Sequence, residues 1–329
     1  AIATAMAVAD RHMQMFPPAE QPWFWTESVF MFSLVELHRV TGEARYLDHV
    51  QAWVDHHIDV GYTIDQSDTC APVAMAARLL AETGDPKYRQ PYDDALLYLD
   101  AAARSNAGGL SHFGTFPLAA TLWVDSLFML GTVMTRWGEL EDNQALFDDL
   151  ALQFPVFSDE LQADTGLYAH AWSWPMGDAT LNWGRGNGWV SAAGYDYLRA
   201  LVIRGQSDAQ TEAALASQTA AIVSSQDGSG LWWIVLNHPG EGYLETSTTA
   251  LFAYGLARGF RYGLLDAELV LPAIDAAMIA LDDKIVADQD GLPVITDISG
   301  PTGPGELADY LAVPLEDDLG YGVGAVILA

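Results

Sequence analysis

The sequence is poor in positive charge and nearly free of cysteine. Of its 329 residues, 14 are Lys or Arg and 44 are Asp or Glu, a formal net charge of −30. Lys87 and Lys284 are the only lysines. A field of that sign repels phosphate backbones and anionic membrane surfaces, so neither nucleic acid nor a membrane is an expected partner. The single cysteine, Cys70, excludes an intramolecular disulfide and a zinc site built on cysteines. There is no Asn-x-Ser/Thr sequon, and neither absence fixes a compartment. No uncharged apolar run approaches the ~20 residues of a membrane span. Metalloprotease zinc patterns, phosphate-binding loops and dinucleotide fingerprints are also missing, so no metal or organic cofactor is expected.

What is present suits a large core. Half the residues are apolar and 11% are aromatic, which excludes disorder as a description of the whole chain. The opening Ala1–Ala9 reads as a helix continuing through Asp10, Arg11 and His12, with a processed leader remnant as the other reading. Helical periodicity recurs at 30–37, 74–80, 126–130 and 250–257, while only 231–236 reads as a strand. Thr41-Gly42-Glu43-Ala44-Arg45-Tyr46 returns as Thr83-Gly84-Asp85-Pro86-Lys87-Tyr88. In each copy an apolar helix meets a Gly that suits the left-handed position after a helix, so each predicts the turn of a helical hairpin. Weaker echoes fall at Gly138, Gly205 and Gly259. Six hairpins of roughly 55 residues would use the chain, as a single all-α domain over 1–329. The Trp-rich stretches 162–190 and 226–248 read as long loops, the places where function concentrates.

The densest of these holds Tyr168-Ala169-His170-Ala171-Trp172 and then Trp183-Gly184-Arg185-Gly186-Asn187-Gly188-Trp189. Aromatic faces stack on sugar rings, and the polar groups between them bond hydroxyls. Arg185, flanked by glycines, either pairs with a ligand carboxylate or forms a structural ion pair. Asp125 and Asp68 each precede an apolar helix, where Asp is a common N-cap. As a pair across a barrel mouth they are also the equipment of glycoside chemistry. A helix N-terminus lowers a carboxyl pKa whereas a general acid needs a raised one, so burial and mutual repulsion must win at whichever group is the acid. His170 is either a hydrogen-bonded core histidine or a site residue. His49, His56 and His57 read as lying on a solvated helix. Gly300–Gly305 reads as a Pro/Gly loop.

In order along the chain, Trp123-Val124-Asp125-Ser126-Leu127-Phe128-Met129, Tyr168–Trp172, Trp183–Trp189, Glu245-Thr246-Ser247 and Tyr321-Gly322-Val323-Gly324-Ala325 resemble glycoside hydrolase family 105, the unsaturated rhamnogalacturonyl hydrolases and related unsaturated glucuronyl hydrolases. The resemblance covers most of the chain. It implies an (α/α)6 barrel, a closed ring of six helical hairpins. It also implies hydration of the C4=C5 double bond that polysaccharide lyases leave on a terminal uronic acid. In the family pattern an Asp protonates C4 and activates water for attack at C5, and the hemiketal then collapses. By that resemblance Asp125 is the catalytic acid/base and Asp68 supports it. His170 and Arg185 contact substrate, and Trp123, Trp183 and Trp189 line the pocket. Pectin-acting relatives in that pattern often carry a basic residue shortly before the Asp motif. Here Ser111–Pro117 offers only His112, which becomes the candidate for the leaving-sugar side. The expected partner is an anionic unsaturated oligosaccharide, from rhamnogalacturonan or, given the acidity, from a marine polysaccharide such as ulvan. The alternatives are a family 88 enzyme on glycosaminoglycan fragments, a sugar 2-epimerase using His170 and His112, and a non-catalytic sugar-binding protein.

Self-repulsion at −30 is relieved by counterions. The unfolding temperature should therefore rise between about 20 mM and about 1 M NaCl. A thermal melt that is flat across that range refutes salt adaptation as the reason for the acidity.

Overall fold

The computed structural model describes residues 1–114 and 120–329. Its helices are α1 Ile2–Met15, α2 Trp25–Thr41, α3 Ala44–Val60, α4 Ser67–Cys70, α5 Val73–Thr83, α6 Arg89–Ala101 and α7 Asp125–Leu140. They continue as α8 Gln144–Leu161, α9 Gly184–Ile203, α10 Ala209–Ser224, α11 Thr246–Arg261, α12 Ala267–Asp282, α13 Leu307–Ala312 and α14 Gly320–Leu328. Helices α2, α5, α7, α9, α11 and α14 each pack on the next, and α14 returns to α2. That closes an inner ring of six. Helices α1, α3, α6, α8, α10 and α12 lie outside it, each against its inner neighbour. The fold is the α/α barrel that the family resemblance implies, and the hairpin count agrees with it. Among the described residues no helix is long and apolar enough to cross a membrane.

The repeated turn has one physical basis in both copies. Gly42 (φ 72°) and Gly84 (φ 67°) take the left-handed conformation, and their N–H groups donate to His38 C=O and Leu80 C=O. Thr41 and Thr83 bond back to the carbonyls four residues earlier and accept from Glu43 N–H and Asp85 N–H. Gly205 is a turn of the same hand (φ 67°), but Gly138 and Gly259 lie inside α7 and α11. There the missing side chain makes room for Phe147 and Leu265.

The inner ring needs close backbone approach. Residues 184–190 form the first turns of α9 rather than a loop. A Cβ on Gly184 would meet Thr248 at 2.8 Å, and one on Gly188 would meet Leu251 at 2.9 Å, both on α11. Gly184 and Gly188 therefore serve the packing of α9 on α11, and a Cβ on Gly186 would meet Trp183 and Val124. The strand expected over 231–236 shrinks to Trp232–Trp233, paired antiparallel with Leu244–Glu245.

At the C-terminal ends of the inner helices a buried ion network ties four of them. Asp196 on α9 takes Arg258 from α11 (2.6 Å) and Arg136 from α7 (2.8 Å), and both arginines also reach Glu36 on α2. Burial alone would raise the Asp196 pKa, yet Arg136, Arg258 and Arg199 hold it well below the usual range. Arginines here also face the negative ends of the helix dipoles.

Histidines expected on a solvated face are partly inside. His57 is buried and its Nε2 lies 2.8 Å from Gln21 C=O. His49 is half-buried, and burial lowers its pKa to about 4. His12 sits between Phe16 and Phe30, 4.4 Å from each, with Nδ1 unpartnered, and burial lowers it to about 3. A histidine depressed in the folded state binds its proton only on unfolding, so its contribution is present above pH 6.5 and is lost as pH falls below that value. His12→Phe should flatten the pH dependence of unfolding free energy between pH 4 and 6 by about 1.4 kcal/mol per pH unit. Denaturant titrations of both proteins across that interval give the slope, and an unchanged slope rejects the assignment.

Candidate active site

The N-terminal ends of neighbouring inner helices supply two carboxyl groups. Asp68 lies in α4, which leads through Ala71 and Pro72 directly into α5. Asp125 is the first residue of α7. A two-residue ladder brings the third group. Leu122–Trp123 (β1) pairs antiparallel with Ala171–Trp172 (β2), and Val124 N–H donates to His170 C=O at 3.0 Å. That register sets His170 Nε2 3.3 Å from Asp125 Oδ2, with neither atom in an in-line hydrogen bond. Asn187, inside α9, fixes the approach to the ladder. Its side chain accepts from Tyr168 N–H and donates to Tyr168 C=O.

The two carboxyls have opposite electrostatics. Burial raises the Asp68 pKa, the charge of Asp125 adds to it, and the Ser67 hydroxyl opposes; the result is about 8. Burial also pushes Asp125 up, but His170 and then His112 more than offset it, and the net direction is down. Helix N-termini favour the charged form at both positions, and at Asp68 burial and repulsion win. Around neutral pH the pair thus carries one acid proton, on Asp68.

His112 stands on the Asp68 side. Its Nε2 is 3.8 Å from Asp68 Oδ2, and its Nδ1 meets Ser67 Oγ at 2.7 Å and Ser126 Oγ at 3.1 Å. Burial lowers its pKa to about 4, so it is neutral. A serine hydroxyl donating to Nδ1 leaves the ring proton on Nε2, facing Asp68. Trp123 stacks on this ring at 4.4 Å and 9°. Thr115, Phe116 and Pro117, in the stretch read beside His112, lie outside the described residues.

Other expected contacts are placed differently. Arg185 is fully buried and, among the described residues, has no carboxylate partner. Its guanidinium donates to Ser299 C=O (2.9 Å) and Gly300 C=O (2.8 Å) and lies between the rings of Trp183 and Tyr321. It holds a loop rather than presenting charge to the cavity. Trp189 is fully buried against Phe128 and Trp25, so it is a core residue and not a pocket wall. Trp183 is also inside, but its ring stacks on His170 at 4.2 Å and so supports the site. Trp123 alone of the three is partly exposed.

Three contributors were given no role by the sequence, although Asn187 and Glu245 lie in motifs that carry the resemblance. Asn187 looked like part of a glycine run. Tyr310, in α13 just after the Gly300–Gly305 loop, reaches His170 Nδ1 through its hydroxyl at 2.9 Å. Glu245, fully buried at the start of α11, spends its carboxylate on Ser247, Thr248 and the Ser299 N–H, which anchors the same loop.

A cavity of about 300 Å³ opens beside His170, lined by Glu160, Trp172, Trp174, Asp178, Pro304 and Tyr310. A larger one of about 660 Å³ lies among α1, α2, α11, α12 and α14. It sits at the C-terminal ends of α2 and α11, away from both carboxyls. Among the described residues no set of three His, Cys, Asp or Glu side chains is placed to hold a metal ion.

A family model described as Glycosyl Hydrolase Family 88 matches residues 2–329. The chain belongs to Glycosyl Hydrolase Family 88. It is 26% identical over 329 residues to the unsaturated rhamnogalacturonyl hydrolase YesR of Bacillus subtilis, covering 98% of this chain and 92% of that protein. A Klebsiella pneumoniae structure described as a possible member of the GH105 family is 28% identical, over 93% of this chain and 81% of its own, with a TM-score of 0.83. A family 105 glycoside hydrolase of Clostridium acetobutylicum shares the fold, with a TM-score of 0.89 at 23% identity over 98% and 97% of the two chains. The resemblance to family 105 drawn from the motifs holds, and this family 88 chain is a glycoside hydrolase.

The raised Asp68 pKa has a stability signature. Between pH 4 and 8 the folded state keeps a proton that the unfolded state releases, so Asp68 costs stability progressively as pH rises through that interval. Asp68→Asn should therefore gain stability over the wild type by up to about 1.4 kcal/mol per pH unit above pH 4, and nothing below it. Equal melting temperatures at pH 4 with a higher one for the variant at pH 7.5 is the expected pattern. A variant less stable at pH 7.5 contradicts it.

Proposed function

We propose that the chain removes the terminal 4,5-unsaturated uronic acid from lyase-generated oligosaccharides by hydrating the C4=C5 bond. We further propose that the sugar released is uncharged, as rhamnose is in a rhamnogalacturonan fragment. The observation that carries the reading is the buried pair Asp68 and Asp125, one raised to about 8 and the other held low beside His170. Vinyl-ether hydration asks for this division: an acid to protonate C4 and a base to take a proton from water.

The resting proton sits on Asp68, whereas the family pattern gives the acid role to Asp125. In this reading Asp68 transfers its proton to C4, and positive charge develops at C5 and the ring oxygen. Asp125, ionised, accepts a proton from the water that bonds to C5. The hemiketal opens at the ring oxygen, and the hemiacetal left at C1 expels the next sugar as an alcohol. One water is consumed, and Asp125 returns its proton so that Asp68 is recharged. The negative Asp125 and the Asp68 carboxylate formed in the step both stabilise the cation.

The pocket also suits an unsaturated uronate. Among the described residues the indole N–H groups of Trp123, Trp174 and Trp183 are buried without a protein partner, as is that of the core residue Trp189. Buried donors demand acceptors, and a substrate carboxylate or hydroxyl supplies them. With Arg185 bound to backbone carbonyls, these donors and His170 are the direct contacts proposed for the uronate.

Charge sets the next subsite. The cavity beside His170 has Glu160 and Asp178 in its lining and no Lys or Arg. Residues 115–119, Thr-Phe-Pro-Leu-Ala, add no charge. Trp172 and Trp174 offer faces to a neutral ring, while a sulfate there meets carboxylates. This favours a rhamnogalacturonan-type fragment over sulfated ulvan or glycosaminoglycan fragments.

The test follows the ultraviolet absorbance of the double bond. Wild type should consume an unsaturated rhamnogalacturonan disaccharide with kcat/KM at least about tenfold above that for a sulfated fragment, about 1.4 kcal/mol of discrimination. Asp125→Asn should fold normally and lose at least about 100-fold in kcat. Near-normal turnover by that variant removes Asp125 from the mechanism, and faster turnover of the sulfated fragment refutes the neutral subsite.

A further inference from the structure

His170 is held from both sides. One ring nitrogen faces Asp125 at 3.3 Å and the other meets the Tyr310 hydroxyl at 2.9 Å. Trp183 stacks on the ring at 4.2 Å and fixes its plane. Both His170 and Tyr310 are buried, at 3% and 1% exposure, so the contact is shielded from solvent. Which nitrogen carries the proton then depends on Tyr310. A hydroxyl that accepts would put the proton on Nδ1 and leave a bare Nε2 lone pair against a carboxylate. A hydroxyl that donates puts the proton on Nε2, where Asp125 can take it as a hydrogen bond.

We propose that Tyr310 is a positioning residue that donates its hydroxyl hydrogen to His170 Nδ1, thereby holding the imidazole proton on Nε2 toward Asp125. Burial keeps the phenol protonated, raised far above its ordinary value. The loop that leads into α13, the helix of Tyr310, is itself fixed. Arg185 binds the carbonyls of Ser299 and Gly300, and Gly177 packs so closely on Gly305 that a Cβ there would come within 2.9 Å of its backbone. Arg185 thus acts on the reaction through Tyr310 and His170, across one loop, without touching the uronate.

The Tyr310 inference uses the hydration reading only for its kinetic arm. The first measurement needs no substrate: ¹⁵N shifts of the His170 ring in the wild type, assigned with His170→Gln. A protonated Nε2 and a hydrogen-bonded, unprotonated Nδ1 is the expected result, and a proton on Nδ1 overturns the proposal. The second is kinetic. Tyr310→Phe keeps the buried ring and should lose about 10- to 100-fold in kcat with KM changed less than about threefold. In the same variant the Nδ1 shift should move to that of a free lone pair. Wild-type kcat in Tyr310→Phe, or an unmoved Nδ1 shift, also overturns it. If the wild type leaves every unsaturated fragment intact, the hydration reading fails, while the ¹⁵N result still decides the role of Tyr310.

Discussion

Two carboxyl groups buried beside each other at the mouths of neighbouring helices cannot both be charged at low cost. Much of the site follows from how that conflict is resolved. Asp125 receives His170 and keeps its charge. Asp68 receives a neutral His112, whose far nitrogen is occupied by two serine hydroxyls, and keeps its proton. The asymmetry comes from partners, since both groups are buried and both sit at helix starts. A pocket that holds one acid and one base is suited to moving a proton onto a polarised double bond and off a water.

The ring separates chemistry from cohesion. The N-terminal ends of α5, α7, α9 and α11 carry the carboxyls, the His170 ladder and the Glu245 anchor. The C-terminal ends carry Glu36, Arg136, Asp196 and Arg258 in a network that bridges α2, α7, α9 and α11. Helix dipoles favour that arrangement at the cationic end, and raise the demand on burial at the acidic end. Among the described residues every Lys and Arg except Arg185 and Arg261 is in an ion pair. Little positive charge is left to greet an anionic substrate, which is why indole N–H groups and an imidazole take that task in the proposed reading.

Much of the fold could be read beforehand, because local rules governed it. The Thr-Gly turns at 42 and 84 are set by left-handed glycines and by hydroxyls two residues from an amide, all within six residues of sequence. Where a glycine's purpose lay across the barrel, local reading failed. Gly184 and Gly188 resembled a ligand loop and are instead the contact of α9 with α11. His49 and His57 looked solvated because an outer helix shows its polar face in sequence, yet His57 is covered by Trp23 and Trp53. At the site, order along the chain pointed to Asp68, Asp125, His112 and His170. Their partners did not show, since a ladder of two residues and a six-residue helix after a Pro/Gly loop are too short for periodicity to detect. Tyr310 lies 140 residues from His170, and Asn187 19 from Tyr168, distances only the closed ring collapses.

The account turns on where one proton resides. Carboxyl ¹³C shifts of aspartate-labelled protein, titrated from pH 4 to 9 and assigned with Asp68→Asn and Asp125→Asn, locate it directly. The account predicts one buried carboxyl still protonated at pH 7, missing in Asp68→Asn, and a second charged down to the lowest pH, missing in Asp125→Asn. Two charged carboxyls at pH 7, or a neutral-pH proton that disappears with Asp125, would contradict it.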